Sequence, residues 1–208
     1  MSNAEELKAQ GIKLFQQKEY EAAARIFREA QETYETAGQR DMAAEMLTNV
    51  GLVHRALGEQ QQALDSMQEA MKTFEELNDS LRLAKVMGNL GGVYSALGDR
   101  EQAYNCYRRA ADVFQELGET KLHGETLLAM GNLQVREGKI GAGAATYEAG
   151  LEELDQLTPT QRVLKGLIGI RNRVIGGGGG KARTNDTPAA TQDQAPPPPT
   201  TNNDENAS

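Results

Sequence analysis

The stretch GNLGGVYSALGDREQA, Gly88 to Ala103, sets four glycines among residues that otherwise favour a helix. Two readings compete for it: a phosphate-cradling loop, or a helix surface against which another helix packs closely. A phosphate loop needs its glycines after a strand and before a helix, with exposed amides and a Lys or a ribose-binding acid at hand. No such context surrounds Gly88. What surrounds it is a repeat, because Gly11, Gly51, Gly91 and Gly131 stand 40 residues apart and Gly58, Gly98 and Gly138 follow the last three by seven. Ala23, Ala63, Ala103 and Gly143 form a second series, and Ala30, Ala70, Ala110 and Gly150 a third. Leu7, Leu47, Met87 and Leu127, then Phe27, Met67, Tyr107 and Tyr147, fill the same register with larger groups. A fixed period in the range of 20 to 50 residues is the mark of a repeat architecture.

Within each unit the apolar residues recur at helical spacing, as in Met87, Leu90, Tyr94 and Leu97, then Ala103, Tyr107, Ala110 and Phe114. Each unit therefore reads as two helices. The first helices are expected near 4–17, 41–57, 81–97 and 121–137, the second near 20–36, 60–77, 100–117 and 140–157. Gly58, Gly98 and Gly138 break them, where a residue free to adopt positive φ ends the first helix. A glycine inside a helix costs about 1 kcal/mol relative to alanine, so the Gly91 series implies close approach by a partner helix.

Thr158-Pro159-Thr160-Gln161 is a helix start, with Thr158 as cap, Pro159 in the first turn and Gln161 reaching back. In the helix that follows, Val163, Leu167, Ile170 and Val174 share one face, joined by Leu164, Ile168 and Ile175. Arg162, Lys165, Arg171 and Arg173 add four positive charges. Residues 176–208 lack hydrophobic periodicity and read as a disordered Gly/Pro-rich tail, with Pro196 to Pro199 favouring polyproline II.

The third unit carries Met87, Leu90-Gly91, Tyr94, Ala103, Tyr107 and Ala110, a register that resembles the tetratricopeptide repeat (TPR). The 40-residue units resemble those of Pins-type polarity adaptors and bacterial TPR scaffolds, with ELGE at Glu116 to Glu119 as the matching turn. The chain departs from the family pattern in having no Trp, no closing proline and a period longer than the usual 34 residues or so, which lengthens the helices. The resemblance covers residues 4–157. It implies an all-α, right-handed superhelical solenoid of helix-turn-helix repeats over 1–157 (about 4–36, 41–77, 81–117 and 121–157). A C-terminal capping helix over 158–175 and the tail over 176–208 follow. It also implies a non-catalytic scaffold or adaptor holding a peptide or helix of a protein partner in its concave groove.

The 22 basic and 30 acidic residues leave a net charge of -8, which argues against a nucleic-acid binder relying on phosphate neutralisation. Cys106 is the single cysteine and suits a reducing compartment. The start MSNAEELKAQ lacks the basic and apolar regions of a secretory signal, and no run approaches the roughly 18 apolar residues of a membrane span. A cytoplasmic location is the expectation. His54 sits in the register of Tyr94 and reads as a packed aromatic substitute, while His123 stands alone. With Cys106 they form no zinc spacing. Pairs such as Glu5-Glu6, Glu75-Glu76 and Glu152-Glu153 are adjacent in helices and point apart. No catalytic residue, metal or cofactor is expected.

In stacked repeats of this family, the first-helix face opposite the packing stripe lines the concave groove. It runs through Glu5, Lys8, Ile12 and Phe15, then Glu45, Thr48, Asn49, Leu52 and Arg55. It continues with Lys85, Gly88, Asn89, Gly92 and Ser95, then Glu125, Leu128, Asn132, Val135 and Arg136. Ile12, Phe15, Leu52, Leu128 and Val135 are apolar anchors in this reading, and the Asn49, Asn89 and Asn132 amides offer donor and acceptor to a peptide backbone. Gly88 and Gly92 are expected to leave room for a ligand. The competing reading has the apolar groups touching neighbouring repeats and the asparagines simply solvated. Chaperone-tail-binding TPR proteins use a carboxylate clamp of Lys and Asn. Ile12 stands where an Asn would be expected, so a helix or extended segment with apolar anchors is the better partner. For residues 160–175 two readings stand. One is a cap over the fourth unit; the other is weak attachment to an anionic membrane surface, which gives a peripheral assembly or chaperone-like factor as the alternative function. Self-association is compatible with both.

Overall fold

A computed structural model describes residues 3–176, with side chains described to Ile170. Its nine helices in the described residues are α1 (Asn3–Gln16), α2 (Tyr20–Thr36), α3 (Arg40–Leu57), α4 (Gln60–Glu76), α5 (Ser80–Leu97), α6 (Arg100–Glu116), α7 (Thr120–Arg136), α8 (Ile140–Glu152) and α9 (Pro159–Gly176). The all-α, TPR-like solenoid is the observed fold. Each helix packs on the next in sequence, and α3 also touches α5 as α5 touches α7, which puts the first helices of the pairs on the inner layer. α8 stops at Glu152, five residues before the expected end, and Gly176, expected in the tail, closes α9. The expected tail from 177 onward, including Pro196 to Pro199, lies outside the described residues.

The turns share one construction at half the expected period. A residue with left-handed backbone recurs every twentieth position: Lys18, Gly38, Gly58, Asn78, Gly98, Gly118 and Gly138, with φ between 55° and 84°. The residue after each donates its N–H to the carbonyl five residues back at 2.8–3.0 Å, as in Asp99 to Tyr94 and Glu119 to Phe114. That is the long bond of a Schellman ending. The same residue's carbonyl then accepts the first bond of the next helix, as Asp99 does from Ala103 at 3.0 Å. One residue thus ends one helix and starts the next, which sets each pair antiparallel.

The core runs the length of the solenoid in the same register. Phe27, Met67 and Tyr107 are buried, as are Tyr34, Phe74 and Phe114 at the ends of the second helices. Burying each such side chain contributes about 1.5–3 kcal/mol. Each of Phe27, Met67 and Tyr107 lies over the glycine of its partner helix. A Cβ at Gly11 would lie 2.6 Å from Phe27 Cε1, one at Gly51 2.7 Å from Met67 Cγ, and one at Gly91 2.7 Å from Tyr107 Cδ1. The glycine series is the packing seam of the helix pairs.

Candidate functional site

Two recesses open on the inner face. The first, about 280 Å³, lies between α3 and α5 and is lined by Glu45, Thr48, Asn49, Leu52, Arg82, Lys85, Val86 and Asn89 over the Phe74 ring. The second, about 310 Å³, lies between α5 and α7 and is lined by Lys85, Gly88, Asn89, Leu122, Glu125, Thr126 and Ala129, over Tyr107 and Phe114. Lys85 and Asn89, one turn apart on α5, line both. Among the described residues no carboxylate forms an ion pair with Lys85.

One margin of this face is held by an ionic web across three repeats. Lys8 Nζ lies 2.7 Å from Glu45 Oε1, Arg82 Nη1 3.9 Å from Glu45 Oε2, and Arg82 Nη2 3.0 Å from Asp41 Oδ2. Asp79 caps α5 by accepting the Arg82 N–H on Oδ1 at 2.9 Å, while Oδ2 accepts from Arg82 Nε at 2.6 Å. Burial on its own would raise the Asp79 carboxyl. The Arg82 backbone and guanidinium bonds, with the Arg82 and Lys85 charges, outweigh it and hold the group below the usual carboxylate range. Arg82 also stands 5.4 Å over the Phe74 ring, a cation–π arrangement at the edge of the first recess. Lys8, Glu45 and Arg82 are spaced by 37 residues rather than 40. Their contacts run diagonally across the stack.

The expected groove residues divide. Asn49, Leu52, Lys85 and Asn89 come together in the recesses. Lys8 is engaged in the web, and Phe15 packs on Tyr20 with ring centroids 5.5 Å apart and planes at 60°. Ile12 and Val135 are open, each 40% exposed, and Asn132 and Arg136 are exposed on α7. Ser95 is half-buried and lines neither recess. Two expectations need correction. Leu128 is buried rather than open, because α8 sits so close that a Cβ at Gly150 would lie 3.0 Å from the Leu128 backbone N. The space beside Gly92 is filled, since the Arg55 guanidinium occupies it and a Cβ there would lie 2.8 Å from Nη1. Gly88 does leave open space, with only the Ala110 methyl at 4.0 Å. Sequence reasoning missed Phe74, Arg82, Val86, Leu122, Thr126 and Ala129; Asp79 three residues before Arg82 was the available sign of the cap and its ion pair.

The groups with chemical potential elsewhere are engaged. Arg28 Nη2 donates to His54 Nε2 at 3.0 Å, and His54 Nδ1 lies 2.6 Å from Glu59 Oε2. A guanidinium only donates, so Nε2 accepts, and the ring proton sits on Nδ1 and goes to Glu59. His123 Nδ1 pairs with Glu153 Oε2 at 2.8 Å. Tyr34 donates to Glu5 Oε1 at 2.6 Å, and burial, then that bond, pushes its hydroxyl well above the ordinary value. Burial likewise raises the Cys106 thiol and keeps it protonated. Among the described residues no group of three or more His, Cys, Asp or Glu is placed to hold a metal ion, and no helix is long and apolar enough to cross a membrane.

The family model described as "Soluble NSF attachment protein, SNAP" matches residues 1–156. The chain belongs to the SNAP family. No curated protein matches it. Among solved structures, this SNAP-family chain is similar to BtubC (BKLC) from P. vanneervenii, with TM-score 0.58 and 16% identity over 92% of this chain and 71% of that one. It is also similar to the apo form of RapI, with TM-score 0.68 and 14% identity over 84% of this chain and 50% of that one. The SNAP-family chain spans half the length of RapI. At such identities the likeness is one of fold, a stack of helix pairs.

Proposed function

We propose that this SNAP-family chain is a non-catalytic interaction scaffold of the cytoplasm that holds a peptide or helix of a protein partner along its inner face. The observation that carries this reading is the sharing of Lys85 and Asn89 by both recesses. A segment laid across α3, α5 and α7 would meet a cation and an amide at the midpoint, with an apolar floor on either side: Leu52, Phe74 and Val86, then Tyr107, Phe114 and Leu122. The Asn49 and Asn89 amides can each donate to and accept from a peptide backbone. Each recess is the size of one or two side chains, which fits anchors of a longer segment better than a whole small molecule. Both histidines are paired away from the recesses and the Cys106 thiol is held protonated, so no histidine or cysteine stands in the lining of either recess, which supports an adaptor over an enzyme. Ile12, Val135, Asn132 and Arg136 extend the same face toward its ends.

The test is a Lys85→Ala/Asn89→Ala variant. Partners captured by the wild-type protein are identified by mass spectrometry, and the enriched one is titrated calorimetrically against both proteins. Loss of two polar contacts of about 1 kcal/mol each weakens binding about 30-fold. The thermal melt stays in place. Equal affinity of the two proteins for the partner would remove the inner face as the binding site.

A further inference from the structure

α9 presents to solvent a stripe that the solenoid does not use. Ile168 is buried and Leu164 half-buried against the rest of the fold, chiefly α8, but Val163, Leu167 and Ile170 are 65%, 57% and 57% exposed. Their spacing of four and then three residues places them on one face of the helix. The start of this helix is fixed by a reciprocal capping box: the Thr158 N–H donates to Gln161 Oε1 at 2.8 Å, and the Gln161 N–H to Thr158 Oγ1 at 3.3 Å. Arg162 and Lys165 are exposed on the same helix, Arg162 donating from Nε to the Leu157 carbonyl at 3.0 Å.

The charge of the chain divides at this point. Residues 1–160 hold 16 basic and 26 acidic side chains, whereas 161–185 hold six basic and none acidic. A second copy of α9 would bring like charges together. Residues 177–208 contain no Val, Ile, Leu, Met, Phe, Tyr or Trp that could cover the stripe. The occupant has to be anionic and apolar at once. It also has to tolerate an uneven surface, since Gly166 and Gly169 have open space where a Cβ would stand. A fluid lipid interface conforms to such a face without a shaped groove.

We propose that α9 docks the protein on an anionic lipid surface, with Val163, Leu167 and Ile170 in the interface, Arg162 at its flank, and the positive charge of the segment favouring the anionic headgroups. The acidic repeats are repelled by the same surface and project away from it, so contact is confined to the C-terminal helix. This docking is independent of the inner-face recesses. The test is flotation of the full chain with vesicles of phosphatidylcholine alone and of phosphatidylcholine with phosphatidylserine. The protein floats with the second and not the first, and raised salt weakens the association. Arg162→Ala/Lys165→Ala lowers the partition coefficient about 5-fold or more, most of it from Arg162 at the flank of the stripe, and Leu167→Asp abolishes flotation. Both variants keep the wild-type melting curve, because the replaced side chains are exposed. Absence of flotation, equal flotation on the neutral vesicles, or undiminished flotation of Leu167→Asp overturns the proposal. So does a dimer, or a bound acidic protein, that Leu167→Asp removes in a protein that does not float.

Discussion

In the third repeat Gly91 on α5 faces the Tyr107 ring of α6; in the fourth, Gly131 on α7 faces the backbone of α8. A Cβ at Gly131 would lie 2.8 Å from the Gly143 carbonyl oxygen, and one at Gly143 2.8 Å from that of Gly131. The same reciprocity joins Gly124 and Gly150, at 2.9 and 2.7 Å. Earlier repeats carry Ala4, Ala44 and Ala84 where Gly124 stands, Ala23, Ala63 and Ala103 where Gly143 stands, and Ala30, Ala70 and Ala110 where Gly150 stands. Without those methyls α8 drops onto α7, and Tyr147 is displaced to a half-buried position where Tyr107 is buried. One register is thus closed in two ways, by a side chain filling the seam or by main chain meeting main chain. The second way costs helix propensity. α8 holds three glycines in 13 residues and starts on Lys139 without a side-chain cap, whereas α5 and α6 start on the capping carboxylates Asp79 and Asp99. The fourth repeat therefore depends on close contact for what the third obtains from propensity and caps.

Bulk at the two seams tests this difference most strongly. Gly131→Leu has nowhere to place its side chain, because the obstacle is α8 backbone, and a loss of about 3 kcal/mol, at the top of the overpacking range, is expected from denaturant unfolding. Gly91→Leu meets the Tyr107 ring, 2.7 Å from its Cβ, but the ring can turn. A loss nearer 1–2 kcal/mol is expected there. Amide hydrogen exchange sharpens the result: Gly131→Leu should release α7 and α8 while leaving α1 to α4 protected, since stacked repeats couple mainly to their neighbours. Equal losses at the two glycines, or release spread evenly over the chain, would break the comparison.

The caps supply the next effect. Asp79→Ala removes the bond to the Arg82 N–H, which should lower stability by about 1 kcal/mol at neutral pH. The carboxyl titrates lower in the folded protein than its ordinary value of 3.8. Its contribution is therefore fully present above that value and lost as pH falls through the lower folded value. Wild type and variant should differ in melting temperature at pH 7 and converge in acid. Lys139→Ala, at the start of α8 where no side chain caps the helix, should change little by comparison, and a cost equal to that of Asp79→Ala would contradict the assignment.

These contrasts also explain which features could be read from the chain. The Gly91 and Tyr107 series were legible because two helices can approach closely only where a residue without a side chain faces a large one, and that requirement recurs at a fixed spacing. The left-handed turn residues were legible at Gly58, Gly98 and Gly138. Lys18 and Asn78 hide the twenty-residue rhythm, since an L-residue can hold positive φ at a cost of only about 1–2 kcal/mol. The end of α8 was hidden because Leu154 and Leu157 prolong the apolar spacing past Glu152. On the inner face, Lys85 and Asn89 could be placed together because both lie on α5. Arg82 with Glu45, and Arg55 over Gly92, could not, because contacts between repeats follow the offset of the stack. That offset depends on how far each helix pair is rotated against the next, which no single repeat encodes.

The smallest effect has the opposite sign. Gly141 stands in the first turn of α8, and a Cβ there would meet nothing within 4 Å. Its glycine is unlike Gly143, two residues on, where a Cβ would lie 2.6 Å from Val135 Cγ2 and 2.8 Å from the Gly131 carbonyl oxygen. If α8 is short of helix propensity rather than of packing, Gly141→Ala should stabilise the fourth repeat by about 0.5–1 kcal/mol, seen as slower exchange of α8 amides and a small rise in melting temperature. Gly143→Ala, an identical change in propensity, should instead destabilise, because the methyl meets backbone that cannot yield. A gain at both positions would show that the close approach of α7 and α8 is incidental. A gain at one and a loss at the other assigns each glycine of α8 its own cause.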